Sequence, residues 1–228
     1  MSLDHSTNIP VNGLVFCLDP ANSRSYSGSG NTVYNLAGNS SIGATKSSGV
    51  TYNSTAPATF SATASNYLVS DYTLVSGTSF TVSMWFKRVD SLYWMVLFGN
   101  EVWLNTTGYV ARLESTQKIR FSNGGNFDGI VYDNSALVSS NFNHYVFVKN
   151  TSGTDSYIYL NGEQVANGSL SNVSIAKPFV FNARYNNDGN GFTDSQGSQF
   201  SHITVYDRAL SATEVKQIFY ATKRRFGL

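Results

Sequence analysis

A chain of 228 residues is long enough for one large β domain and short for two, and a core of that size needs no cross-links. A net charge of +1, with only 13% charged and 14% aromatic residues, excludes the profile of a disordered segment and of a general nucleic-acid or acidic-membrane binder. A single cysteine, Cys17, excludes an internal disulfide, and no apolar run approaches the roughly 20 residues that span a bilayer.

In chain order, Met1–Asn12 reads as a polar N-terminal arm without the apolar core of a signal peptide, which points to a cytoplasm or a particle assembled in one. Gly13–Asp19 is a continuous apolar strand, and Cys17 within it reads as a small buried side chain rather than a nucleophile. Further strands are expected near 66–69, 93–98, 108–114, 118–122, 178–184 and 199–206. Phe80–Lys87 alternates, with Val82, Met84 and Phe86 on one face and Thr81, Ser83 and Trp85 on the other. His144–Lys149 carries large side chains on both faces, as a strand covered on both sides does. Asn161-Gly162, between Tyr157–Leu160 and Glu163–Val165, accepts the positive φ of a type I′ turn and predicts a β-hairpin.

From Ser211 the period changes. Ser211-Ala-Thr-Glu214 is a capping box, and Val215, Ile218 and Phe219 then share one helical face. This predicts one short C-terminal helix, whose basic end Lys223-Arg224-Arg225 reads as a solvated terminus favoured by the helix dipole. The whole is an all-β chain, an antiparallel two-sheet β-sandwich with a C-terminal helix, divided into an arm over 1–12 and one domain over 13–228.

Several ordered segments resemble laminin-G-like modules of the concanavalin A-like lectin/glucanase superfamily. They are Gly13-Leu-Val-Phe-Cys-Leu-Asp19, Ser25-Tyr26 with Gly28 and Gly30, Asn35-Leu-Ala-Gly-Asn39, and Asn66-Tyr-Leu-Val69. Phe80-Thr-Val-Ser-Met-Trp85, Tyr157-Ile-Tyr-Leu-Asn-Gly162 and Val205-Tyr-Asp-Arg-Ala-Leu-Ser211 continue the match. The tail Ala221–Leu228 is similar to those closing such modules in marine and cyanobacterial bacteriophage structural proteins. The resemblance implies a concanavalin A-like jelly roll with rim loops that bind glycans, proteins or calcium. It implies a virion location if the chain is of phage origin, and it leaves the ligand open.

Catalysis finds little support in the residues. Glucanases of this fold place two carboxylates on one strand in a Glu-X-Asp-X-(X)-Glu motif. The four glutamates here, Glu101, Glu114, Glu163 and Glu214, form no such motif. His5, His144 and His202 show no ligand pairing. Calcium has a candidate loop at Asn186–Asp194, with Asp188, Asn190 and Asp194 as oxygen donors, although the same residues are ordinary loop formers.

Glycan stacking has candidates in Tyr93, Trp94, Trp103, Tyr109, Tyr185 and Phe192, with Arg184, Asn186 and Asp188 as polar neighbours. The expected function is a non-catalytic, lectin-like carbohydrate-binding module displayed on a virus particle. The alternative is a virion structural or decoration protein that forms homo-oligomers or binds other virion structural proteins, and a glycoside hydrolase is the remote third. Neither nucleic acid nor membrane insertion is expected.

Overall fold

The computed structural model describes residues 8–38, 43–90, 94–103, 105, 107–114, 118–123, 129–134, 140–151 and 155–228. Their strands in chain order are β1 (Leu14–Leu18), β2 (Thr32–Tyr34), β3 (Gly43–Lys46), β4 (Thr51–Asn53), β5 (Thr59–Ala62) and β6 (Leu68–Ser70). Next come β7 (Phe80–Arg88), β8 (Met95–Gly99), β9 (Tyr109–Leu113), β10 (Lys118–Asn123), β11 (Gly129–Asp133) and β12 (Asn143–Lys149). The last are β13 (Ser156–Leu160), β14 (Glu163–Gly168), β15 (Val180–Phe181), β16 (Arg184–Tyr185), β17 (Phe192–Thr193) and β18 (Ser198–Tyr206). One helix, α1 (Ala212–Thr222), and a 3₁₀ turn over Lys223–Phe226 close the chain.

Two antiparallel sheets of eight strands face each other. The first runs β14-β13-β12-β7-β18-β5-β4, with β1 also on β18; the second runs β11-β10-β9-β8-β15-β6-β3-β2. Strand β18 serves two partners on one edge because it is long: Ser198–Phe200 pairs with β5, and Ile203–Tyr206 with β1. Its pairing with β7 slips between Ser201 and Thr204, where His202 sits at φ 42°.

Period 2 decides which side chains meet. Phe80, Val82, Met84 and Phe86 of β7, Tyr145 and Phe147 of β12, and Leu97, Ala111, Leu113, Ile119 and Phe121 of the second sheet fill the space between sheets. The opposite face of the first sheet would present Trp85, His144, Val146 and Tyr206 to water. Helix α1 covers it with Val215, Ile218 and Phe219. Trp85 donates its indole N–H to Thr222 Oγ1 at 2.8 Å, and Phe226 stacks on its ring at 4.1 Å and 10°. His144, paired at Nε2 with Ser83 Oγ at 2.8 Å, is held by burial down to a pKa of about 3.

The capping box forms as expected: Glu214 N–H donates to Ser211 Oγ, and Ser211 N–H to Glu214 Oε2. The hydrogen bond from Arg208 is the main cause that holds the Glu214 carboxyl down to about 2. The basic end departs from the expected solvated terminus. The 3₁₀ turn carries Arg225 onto Asp19, with both Nη atoms donating at 2.8 and 2.7 Å. Residues ahead of β1 lie on the same side of the molecule: Tyr206 O–H donates to Pro10 O, Arg208 Nε to Asn12 O, and Gln217 Nε2 to Asn8 O. His5 lies outside the described residues.

Candidate functional site

Among the described residues, no helix lies over the outer face of the second sheet. Val180 of β15 and Val69 of β6 point there, and a small cluster of Val102, Ala183 and Tyr185 covers them, with Tyr67, Val69 and Phe192 packed alongside. The turn that brings β16 onto this face depends on Asn182. Fully buried at φ 63°, it donates Nδ2 to Asn66 O and Gln196 O and accepts Ser198 O–H at 2.8 Å. Asparagine tolerates this left-handed backbone better than other residues with a Cβ, and satisfying its amide makes its burial affordable.

Arg184 follows on β16 and is the centre of the site. Gly99 of β8 makes room for it: a Cβ there would lie 3.0 Å from that of Arg184. The guanidinium is shared between two carboxylates. Nη1 meets Glu101 Oε1 at 2.7 Å, while Nε and Nη2 both reach Asp194 Oδ2 at 2.6 Å. Glu101 is buried, whereas the Asp194 side chain is 30% exposed, so the fork joins a buried charge to a solvent-facing one. Trp103, half-buried, lies with its ring centroid 4.9 Å from the guanidinium carbon.

A second arginine repeats the arrangement. Arg112 of β9 sits 5.1 Å from the centroid of Trp94, which is 40% exposed. Arg112 stands directly opposite Arg120 of β10, a like-charge cross-strand pair that is unfavourable by itself. Glu114, at the turn between those strands, resolves it: Oε1 accepts from Arg112 Nε at 3.0 Å and from Arg120 Nε, and Oε2 accepts from Arg120 Nη2. Burial works to raise the Glu114 pKa, but the hydrogen bonds from Arg120 and Arg112 together outweigh it and hold the carboxyl below its usual range. The fields of Glu101 and Arg184 both act on Arg112, so the two clusters form one network.

Trp94, Trp103, Arg184 and Asp194 line one open recess of about 210 Å³. Four of the residues singled out in the sequence therefore meet, Asp194 as a polar wall of the recess. The other described aromatic candidates do not join them. Tyr185 is buried, with its O–H donated to Pro178 O and its pKa pushed up to about 12 by burial. Phe192 packs between Tyr67 at 4.1 Å and Tyr185 at 4.9 Å, so the pair supports the loop from below. Tyr109 belongs to the core, and Tyr93 lies outside the described residues.

The loop donors are engaged in holding the turn. Asn186 Oδ1 accepts from Asn190 N–H and Gly191 N–H, and Asp188 Oδ1 from Asn190 N–H at 2.8 Å. Asn186 Oδ1 and Asp188 Oδ1 are thus used to hold the turn, and a calcium ion, which takes six to eight oxygens, would have to draw on the other side-chain and carbonyl oxygens of the loop. The carboxylate of Asp194 is turned to Arg184, and no group of three or more His, Cys, Asp or Glu gathers among the described residues.

Glu101, Arg112, Glu114 and Arg120 were not foreseen as site residues. A signal existed in Tyr109-Val-Ala-Arg-Leu113, where one charge interrupts an apolar strand. For catalysis the arrangement offers carboxylates already committed to guanidinium groups. The imidazoles His144 and His202 lie on the other sheet, with pKa values lowered by burial to about 3 and about 4. Burial likewise pushes the Cys17 thiol up to about 12, far from a thiolate nucleophile.

Residues 60–216, most of the chain, match the laminin G-type family model of the concanavalin A-like lectin/glucanases superfamily. The receptor binding domain of botulinum neurotoxin D is similar in structure, with a TM-score of 0.68 and 14% identity over 92% of this chain and 52% of that one. The serotype D ligand binding domain in complex with N-acetylneuraminic acid gives 0.67 and 12%, over 92% and 51%. A mutant of Trypanosoma rangeli sialidase displaying trans-sialidase activity gives 0.67 and 14%, over 96% and 34%. At these identities the likeness establishes the fold, and the chain spans about half the length of the toxin domains it matches. No curated protein matches it in sequence.

Proposed function

We propose that this chain, which belongs to the concanavalin A-like lectin/glucanases superfamily, is a non-catalytic carbohydrate-binding module that uses the Trp94–Trp103 recess. The observation that carries the reading is the convergence of two partly exposed indoles on an arginine–carboxylate fork. Sugar rings have an apolar C–H face that stacks on indole, and hydroxyls that bridge a carboxylate and its neighbours. A toxin domain, about half of which this chain matches, has been captured with N-acetylneuraminic acid, so the fold occurs in glycan-binding proteins.

A recess of about 210 Å³ is below the roughly 300–1,000 Å³ of deep small-molecule pockets, so it grips about one sugar ring. Affinity per site is then weak, and function calls for many copies displayed together. The similarity of the tail to those of bacteriophage structural modules supports display on a virus particle.

The test is a glycan panel probed with the multimerised chain and with its Trp94→Ala and Trp103→Ala variants. Specific binding that falls about tenfold or more in either variant is expected, the loss of one good stacking contact. Binding that ignores both substitutions refutes the site. A blank panel shifts the reading to an assembly protein that binds no glycan.

A further inference from the structure

We infer that the recess selects uncharged, hydroxyl-bearing glycans over acidic ones, a conclusion that rests on the glycan-binding reading above. Arg184 lines it and is answered by Glu101 and Asp194, and beside Trp94 the neighbouring arginines Arg112 and Arg120 are answered by Glu114. Each guanidinium already faces a carboxylate, so the site has no surplus positive charge for a sialic acid, a uronate or a sulfate.

The atom presented to the ligand sharpens the point. Arg184 occupies Asp194 Oδ2 through two donors, which leaves Oδ1 of a 30% exposed side chain with, among the described residues, Thr193 Oγ1 at 3.5 Å. An ionised carboxylate oxygen accepts hydrogen bonds and donates none. A sugar hydroxyl or amide N–H satisfies it. A ligand carboxylate or sulfate brings a second acceptor and a second negative charge to the same spot. The aromatic walls add no charge, since each indole turns one face to an arginine that is itself paired. The arrangement therefore differs in ligand class from the structural neighbour captured with N-acetylneuraminic acid.

The experiment uses the full chain, multimerised, against matched neutral and acidic glycans. The pairs are a neutral glucan and the same chain oxidised to the uronate, a galactan and its sulfated form, and N-acetyllactosamine with and without terminal sialic acid. At least one neutral member is expected to bind about tenfold or more tightly than its acidic partner, the equivalent of about 1.4 kcal/mol. Raising salt is expected to leave the neutral affinity unchanged and to narrow the gap, because screening weakens the repulsion.

Asp194→Asn, checked for folding by near-ultraviolet circular dichroism, is expected to narrow the gap as well. Acidic members bound as tightly as neutral ones, in a manner lost in Trp103→Ala, would overturn this inference and leave the module's function standing. Binding to no member of any pair overturns both.

Discussion

Replacing Arg184 with methionine removes the guanidinium that Glu101 Oε1 meets at 2.7 Å, from a carboxylate whose side chain is only 1% exposed. Breaking a buried ion pair from one side typically costs about 3–5 kcal/mol, because the remaining charge stays desolvated without its partner. Asp194 adds little to the loss, since its partly exposed carboxylate can turn to water. For a domain of this length 1 kcal/mol moves the midpoint by about 2–4 °C, so Arg184→Met is expected to lower Tm by roughly 6–20 °C. Adding Glu101→Gln neutralises the remaining charge and is expected to recover more than half of that loss.

Urea unfolding followed by tryptophan fluorescence gives the free energies, and the two single variants with the double variant close a cycle. Arg120→Met serves as the control, because Glu114 keeps Arg112 and the Arg120 side chain is 17% exposed. Its cost is expected to stay well below that of Arg184→Met, since the carboxylate it leaves keeps a second arginine. A loss under about 1 kcal/mol for Arg184→Met, or no recovery in the double variant, would refute the buried fork as the support of the site.

Three further outcomes are expected. The pKa values of His144 and His202 are lowered on folding from 6.5 to about 3 and about 4, so below pH 6.5 the unfolded chain binds protons the folded one refuses. Stability is then full above pH 6.5 and falls as pH drops toward those folded values, by up to about 1.4 kcal/mol per unit for each histidine. Denaturation at pH 7 and pH 5 measures it, and His144→Gln should flatten the slope. Gly162→Ala places a Cβ 2.9 Å from Phe219 Cδ1 at a φ of 84°, so the hairpin and helix α1 conflict. A loss of about 2 kcal/mol or more is expected in thermal melts, and a neutral result would contradict that contact. Millimolar calcium is expected to leave Tm unchanged, and a rise that disappears in Asp188→Ala would restore the loop as a metal site.

What the sequence made legible was local. The alternation of Phe80–Lys87, the Asn161-Gly162 turn and the Ser211–Glu214 box each carry their own chemistry within a few residues, and each stands in the fold as expected. The three- and four-residue strands β2 to β5 escaped notice. Segments such as Thr51–Asn53 and Thr59–Ala62 hold their shape through pairing with each other and with β18, and their own composition reads as loop.

The site follows the same division. Trp94, Trp103, Arg184 and Asp194 were visible as residue types, but their meeting depends on Gly99 and Asn182, which set β16 against β8. Tyr185 and Phe192 stood as stacking candidates with a core role open, and Tyr67, distant in the chain, is what packs against their cluster. Glu101 had no local pattern at all; only the fold supplies its arginine.

The contacts of Asn8, Pro10 and Asn12 with the β18 and α1 region, and of Arg225 with Asp19, gather both described ends of the chain on the helix-covered side. The recess opens on the far side, across a sandwich about 10 Å thick between its sheets. Cargo held at these described contacts would therefore sit back to back with the recess. A bead, a scaffold or a neighbouring subunit attached there would leave the tryptophans facing outward, and copies crowded on one carrier would point their recesses the same way without any added hinge.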